Sequence, residues 1–302
     1  MGIAGYGYVL LAAALWALIG PLARFCLDGG ISPLEIAFWR AAFGTLFYAL
    51  HAWRFGLWRA APLHVSYFAA FGLVGVALFF ASYQLAVREG GAALASILLY
   101  TAPAWVAVLS RLLLHEPLTR RKLTALGVAM TGAALTCVSG GGLKGGTSMA
   151  GILYGLLSGF TYSLHYIFSA HWMRTYAPVT LYLYCLPAGA LAMLPWVDFA
   201  PKTLQLWGLL VLMGLTTTYG AYWAYCEGVR RLAPTRVAVV ANLEPVLAGV
   251  LAFWWWDELF PPTGWIGSAL VLCAVLLIVL DRSGGDVPAD KANAQEITSS
   301  AT

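Results

Sequence analysis

Glu244 lies in the stretch ANLEPVLAG (241–249), near the middle of an apolar run from Val237 to Trp256. An ionised carboxylate at the centre of a hydrophobic segment costs several kcal/mol unless something receives it. Two chemistries suit such an acid. Either it faces a wet central space, where it contacts a cationic solute group, a proton or a partner, or it is a packing device bonded to backbone or to a neighbouring hydroxyl. Asn242, two residues earlier, points to a different helix face and suits a freed backbone carbonyl. Arg40 is the one strong base well inside an apolar segment. It either snorkels outward or pairs with an acid such as Glu35 or Glu244. A structural or gating pair ranks ahead of solute contact.

Around these charges stand aromatic residues that also fall mid-segment: Trp16, Tyr83, Tyr100, Phe160, Tyr162, Tyr166, Tyr219, Tyr222 and Tyr225. A tyrosine deep in a bilayer needs a partner for its hydroxyl, which an aqueous cavity supplies; bundle packing is the alternative. Tyr162 and Tyr166, at i and i+4, share a helix face. Gln84 and His165 are lone polar residues, and a satisfied buried side chain is the plainer account of His165. The candidate solute-binding set is therefore Trp16, Tyr83, Gln84, Tyr100, Phe160, Tyr162, His165, Tyr219, Tyr222, Asn242 and Glu244. No Walker loop, HExxH, spaced metal-binding carboxylates or GxSxG elbow is present. GGGLKGG lacks the phosphate-loop spacing and its following Ser/Thr, and reads as a connection. No catalytic residue, metal, cofactor or ATP drive is expected. An intramembrane enzyme or lipid-handling scaffold would need His165, Glu244 and Tyr83 gathered into one set.

The elements that must position these residues follow from composition. Of 302 residues, 61% are hydrophobic and 10% charged, and mean hydropathy is +0.79. A soluble domain carries roughly 25% charged residues, so the chain is an all-α integral membrane protein with no nucleic-acid face. Ten segments are long and apolar enough to span: 5–26, 33–53, 64–87, 92–113, 122–139, 149–171, 178–196, 205–227, 235–256 and 262–281. The run Tyr6–Phe25 has no preceding base and no cleavage pattern, so it reads as a retained first helix. Trp53, Trp58, Trp172, Trp196 and Trp265 fall at segment ends, as interfacial anchors do. The five cysteines occupy separate segments without a CxxC pair and read as free thiols. Small residues in the fifth segment (Gly127, Gly132, Ala133) and tenth (Gly264, Gly267, Ser268) suit close helix packing or a dimer surface. With the N-terminus inside, inner loops and tail hold 12 Lys/Arg and outer loops 4, which places both termini in the cytoplasm.

An internal repeat emerges at a fixed offset. Residues 83–118 align without a gap on 225–260, with seven identities in 36 positions. Tyr83 meets Tyr225, Arg88 meets Arg230, Pro103 meets Pro245 and Glu116 meets Glu258, while Ala102 stands opposite Glu244. Further upstream, Gly44 falls opposite Gly189. Five spans per copy is an odd number, so the copies enter the membrane in opposite senses. The expected domains are a five-helix repeat over 1–143, an inverted five-helix repeat over 144–281, and a disordered cytoplasmic tail over 282–302. Pro103 and Pro245 are expected to kink the fourth and ninth helices and free carbonyls near the midplane. Inverted repeats around a central site are a transporter architecture.

On the APAW and EPVL stretches around Pro103 and Pro245, the helix-end acids Glu116 in HEPLT and Glu258 in DELFPP, and Pro33 with Arg40 opening the second helix, the chain resembles the drug/metabolite transporter superfamily, EamA type. The resemblance covers residues 1 to about 281. It implies a ten-helix basket around a central solute cavity in a bacterial inner membrane. It further implies export of amino acids or other small metabolites by alternating access, and the aromatic content is similar to that of aromatic amino acid exporters. A multidrug or cationic-compound exporter of the same fold is the alternative. A small-molecule solute and the lipid bilayer are the expected partners.

Overall fold

Helix ends in this chain are written by proline, glycine and hydroxyl caps. Pro33, Pro62, Pro178, Pro234 and Pro262 each open a helix at its first residue, where a missing N–H costs nothing. Ser32 and Ser148 accept from the backbone N–H three residues on, at 3.2 and 2.9 Å. Gly56 and Gly91 take positive φ (70° and 83°), ending one helix and bending another. The computed structural model describes residues 2–139, 148–256 and 261–281. The connection GGGLKGG, residues 257–260 with Glu258, and the tail 282–302 lie outside the described residues.

Within those limits the chain is helical, and no strand occurs among the described residues. The helices are α1 (Gly2–Ala17), α2 (Ile19–Asp28), α3 (Pro33–Phe55), α4 (Pro62–Phe71), α5 (Phe79–Leu99), α6 (Ala102–Leu113), α7 (Arg120–Ser139), α8 (Met149–Trp172), α9 (Pro178–Met193), α10 (Leu204–Met213), α11 (Ala221–Val229), α12 (Pro234–Ala241), α13 (Glu244–Trp256) and α14 (Pro262–Val279). Two π-helical turns, Gly72–Leu78 and Gly214–Gly220, join α4 to α5 and α10 to α11. Six helical runs are long and apolar enough to cross a membrane. Their outward side chains suit lipid: Leu204, Trp254 and Leu280 are 89%, 85% and 71% exposed. Trp53, Trp58, Trp196 and Trp265 are exposed as well, whereas Trp172 packs on Phe68 and His64.

The segments that read as single helices are interrupted. The first breaks at Leu18, three residues before Pro21. The third and eighth contain the π turns, which no hydropathy pattern reveals. The fourth and ninth do not kink at their prolines but stop. The chain turns at Tyr100–Thr101 and at Asn242–Leu243, and Pro103 and Pro245 sit second in new helices. A proline there removes the bond that would have carried the helix through.

These interruptions recur at one spacing. The π turns, the starts of α4 and α10, of α5 and α11, of α6 and α13, and of α7 and α14 are each 142 residues apart. Packing repeats likewise. Gly44 of α3 abuts Thr218 in the second π turn, and Gly189 of α9 abuts Val76 in the first; an added Cβ would stand 2.6 and 2.5 Å from them. α7 lies against α14 with Gly132 and Gly267 in mutual contact, where a Cβ would meet the opposite carbonyl at 2.7 and 2.6 Å. Gly132 and Gly267 thus serve an intramolecular seam, whereas Gly127 lies off it.

Candidate functional site

The two breaks face a shared interior. Glu244, first residue of α13, is half-buried at a helix N-terminus, an end that favours negative charge. Its carboxylate lies within electrostatic range of Arg40 and of the Tyr100 hydroxyl. Tyr83, Tyr162, Tyr166 and Tyr222 also sense it. Asn242 is buried in the same break, and its Nδ2 has no hydrogen-bond partner.

Beside the acid stands an aromatic cluster built from α1, α3, α5, α8, α9 and α11. Trp16 touches Tyr162, Tyr222 and Tyr225, with ring centroids 6.4, 5.7 and 5.6 Å apart. Tyr222 also lies 4.8 Å from Tyr182, which stacks on Tyr48 at 5.7 Å. Tyr162 stacks on Phe79 at 5.4 Å. Edge-on and offset rings of this kind give a stiff, slightly polar wall.

His165 occupies the cluster's flank with both ring nitrogens engaged. Nε2 is 2.6 Å from the Gly75 carbonyl in the first π turn, and Nδ1 is 3.3 Å from the Tyr182 hydroxyl. The carbonyl requires a proton on Nε2, so Nδ1 accepts from tyrosine. The acceptor carbonyl thus belongs to the first π turn, which the histidine ties to α9 through Tyr182.

The other candidates are placed as follows. The Tyr83 hydroxyl meets Ser96 Oγ at 3.1 Å, tying the two arms of α5 across the Gly91 bend. Tyr100 ends α5 at the break. Gln84 is half-buried on α5. Phe160 pairs with the exposed Trp105 at 5.4 Å. Tyr219 bonds His51 at 2.7 Å and lies on Tyr48. Trp16, Tyr162, His165 and Tyr222 are thus drawn into one cluster, while Phe160 and Tyr219 have partners of their own.

Arg40 pairs with neither acid. Glu35 forms an ion pair with Lys202 and accepts from Trp39 Nε1 and Ala200 N, each at 3.1 Å. The Arg40 guanidinium instead points into a narrow cavity with Phe80, Thr218 and Tyr222. Sequence reasoning missed Lys202 as the partner of Glu35, and Tyr48, Tyr182 and Phe79 as cluster members. Glu35 and Lys202 are far apart in the chain, and nothing in their local spacing links them.

A second buried group lies where α6, α7 and α12 meet. Lys122 Nζ is 2.8 Å from Glu116 Oε1, and Glu116 Oε2 accepts from Thr235 Oγ1 at 3.1 Å. Among the described residues no cluster of His, Cys, Asp and Glu suits a metal, and all five cysteines are free thiols.

Comparison with known proteins gives one family. The model of the EamA-like transporter family matches residues 3–138 and again 149–280. An uncharacterized transporter of Archaeoglobus fulgidus is 29% identical over 68% of this chain and 75% of its own length. A protein of Streptantibioticus cattleyicolor named a probable terminal-alkyne amino-acid exporter is 26% identical over 89% of this chain and 91% of its own. One solved crystal structure superposes with a TM-score of 0.80 over 92% of this chain and 96% of that one, at 18% identity, and so shares its fold.

Proposed function

The chain belongs to the EamA-like transporter family, and from that membership we propose that it exports amino acids, aromatic or neutral ones among them, across a bacterial inner membrane by alternating access. The single observation that carries this is the placement of Glu244 and Arg40: opposite charges within electrostatic range of each other, yet joined by no ion pair, beside an aromatic wall. A zwitterion with an apolar side chain complements that arrangement. Similarity to a probable amino-acid exporter supports the substrate class.

The mechanism follows from the two breaks. Ten crossings in two inverted five-helix repeats give each copy one helix broken at the equivalent place, ahead of Pro103 and ahead of Pro245. The constant 142-residue spacing and the matched Gly44–Thr218 and Gly189–Val76 contacts support the duplication. On the side assigned to the cytoplasm by the positive-inside count, α6 packs on α12 and Glu116 closes on Thr235. The opposite arms part: Leu98 of α5 lies on Gly155 of α8, and α13 lies on α1, α2 and α7. This is a state shut toward the cytoplasm; rocking the repeats would exchange the open side.

Efflux of radiolabelled L-phenylalanine and L-leucine from proteoliposomes tests the proposal. Time-dependent loss above protein-free vesicles is the expected result, and no movement of any neutral or aromatic amino acid by folded protein would end it. The presence of an acid in one break only favours a second candidate, a cationic-compound exporter. Efflux of quaternary cations without amino-acid efflux would select it.

A further inference from the structure

Arg40 is the charge that this fold leaves unanswered. It is 7% exposed, its Nε has no hydrogen-bond partner, and no ion pair reaches it among the described residues. The Phe80 ring centre lies 5.7 Å from the guanidinium carbon. Glu35, one and a half turns away, is fully engaged by Lys202, Trp39 and Ala200. An unpaired buried cation is costly, and proteins keep one where something arrives to neutralise it.

A second orphan shares the cavity. Thr216 and Thr217 bond back to the carbonyls of Leu212 and Met213, at 2.7 and 2.8 Å, as helical threonines do. Thr218 does not. It sits in the π turn, 3% exposed, with Oγ1 unbonded and lining the cavity beside Arg40 and Tyr222. Two buried groups without partners, Arg40 Nε and Thr218 Oγ1, thus belong to residues that line one cavity. The cavity has room for about one water molecule, which admits one oxygen of a head group but not a side chain.

We propose that this cavity is a carboxylate subsite, in which Arg40 Nε and Thr218 Oγ1 donate to the carboxylate of the transported solute. The assignment rests on, and deepens, the proposed amino-acid export. It orients the solute, with the carboxylate at Arg40, the ammonium toward Glu244, and the side chain against Tyr222 and Trp16. Arg40 and Thr218 come from helices α3 and the second π turn, which meet at Gly44, so a carboxylate held between them also ties the two repeats together. A solute carrying only positive charge would meet a buried cation there, which disfavours the cationic alternative.

The test separates the subsite from the transport reading. Detergent-purified wild type, Arg40→Gln and Thr218→Val are melted with 3-phenylpropionate (carboxylate only), phenethylamine (amine only), L-phenylalanine and sodium chloride; L-phenylalanine efflux is measured separately. The expected result is stabilisation of wild type by phenylpropionate, with affinity at least tenfold weaker in Arg40→Gln, and an unchanged response to phenethylamine. Thr218→Val carries the same comparison, at about threefold, if Arg40→Gln does not fold. Equal phenylpropionate response in wild type and variants overturns the subsite even if L-phenylalanine is exported. No carboxylate response in wild type, or a response to chloride alone, overturns it too. Absent amino-acid efflux with an Arg40-dependent carboxylate response upholds the subsite and removes the export proposal alone.

Discussion

Glu116 accepts from Thr235 Oγ1 at 3.1 Å with one carboxylate oxygen and holds Lys122 Nζ at 2.8 Å with the other. The acid therefore joins α6 and α7 to the first turn of α12, across 119 residues of chain. Lys122 also donates to the Pro117 carbonyl at 2.9 Å, and its side chain is 1% exposed. Removing one member of a buried pair leaves the other charge uncompensated, which costs roughly 3–5 kcal/mol. Glu116→Ala is expected to destabilise by that order, and Thr235→Val by about 1 kcal/mol for one lost hydrogen bond. Glu116→Leu combined with Lys122→Met should be milder than Glu116→Leu alone. Melting of the purified variants checks the order; an equal loss in Thr235→Val and Glu116→Ala would contradict it.

Glu35 and Lys202 provide a comparison between buried and exposed pairs. The Glu35 carboxylate is inaccessible, and Lys202 is enclosed by Trp39, Phe199 and Trp207, 5.5, 5.7 and 5.1 Å from the ring centres. Arg88 and Glu89 also pair, at 2.9 Å, but the arginine side chain is 70% exposed. Lys202→Ala should cost several kcal/mol, since it strands a buried carboxylate. Arg88→Ala should change stability by less than about 1 kcal/mol. Thermal melts at low and high salt distinguish them. Salt should not alter the Lys202 effect, and salt should erase whatever Arg88 contributes.

Glycines separate by what stands opposite them. A Cβ at Gly72 would lie 2.1 Å from the Cys185 carbonyl, and at Gly189 2.5 Å from Val76 Cβ. Neither neighbour can swing away, so Gly72→Ala and Gly189→Ala should each unseat the first π turn from α9 and lower the melting temperature. Gly127, on α7, has nothing within 4 Å. Gly127→Ala should be neutral or stabilising by up to about 1 kcal/mol, from helix propensity alone. A loss at Gly127 comparable to that at Gly72 would mean that α7 has a partner on that face.

Much of the fold was legible because it is written in backbone chemistry. Proline, glycine and the hydrophobic run lengths located most outer ends of the apolar segments but not the breaks inside them, and the offset that aligned Pro103 with Pro245 also aligns the π turns. The opposition of Gly44 and Gly189 in sequence became equivalent contacts, with Thr218 and Val76. What stayed hidden is what hydropathy does not encode. A π turn has the same side-chain pattern as an α turn, so the contact of His165 with the Gly75 carbonyl and the unbonded Thr218 hydroxyl left no trace. Whether a proline bends a helix or ends it depends on the preceding residues, and at Tyr100 and Asn242 the helix ended. The partner of Arg40 was sought among Glu35 and Glu244; Lys202, remote in sequence, had taken the first, and distance withholds the second.

Glu244 joins no ion pair among the described residues, and its substitution separates binding from proton coupling. The groups that face it are Arg40, the hydroxyls of Tyr83, Tyr100, Tyr162, Tyr166 and Tyr222, and the Cys137 thiol. Glu244→Gln keeps the shape and removes the negative charge, so an ammonium group loses its counter-charge beside an intact arginine. Exchange of L-phenylalanine across proteoliposomes is expected to weaken at least tenfold in apparent affinity. If the carboxylate also carries the exchanged proton, acid outside loads it from the open side and the empty site returns protonated. Net efflux by wild type should then rise as external pH falls, and Glu244→Gln should lose that slope while still exchanging labelled for unlabelled solute at saturating concentration. Net efflux that ignores external pH in wild type, with exchange weakened in the variant, would leave Glu244 a binding group for the ammonium alone. Wild-type affinity and pH response in Glu244→Gln would remove it from both roles.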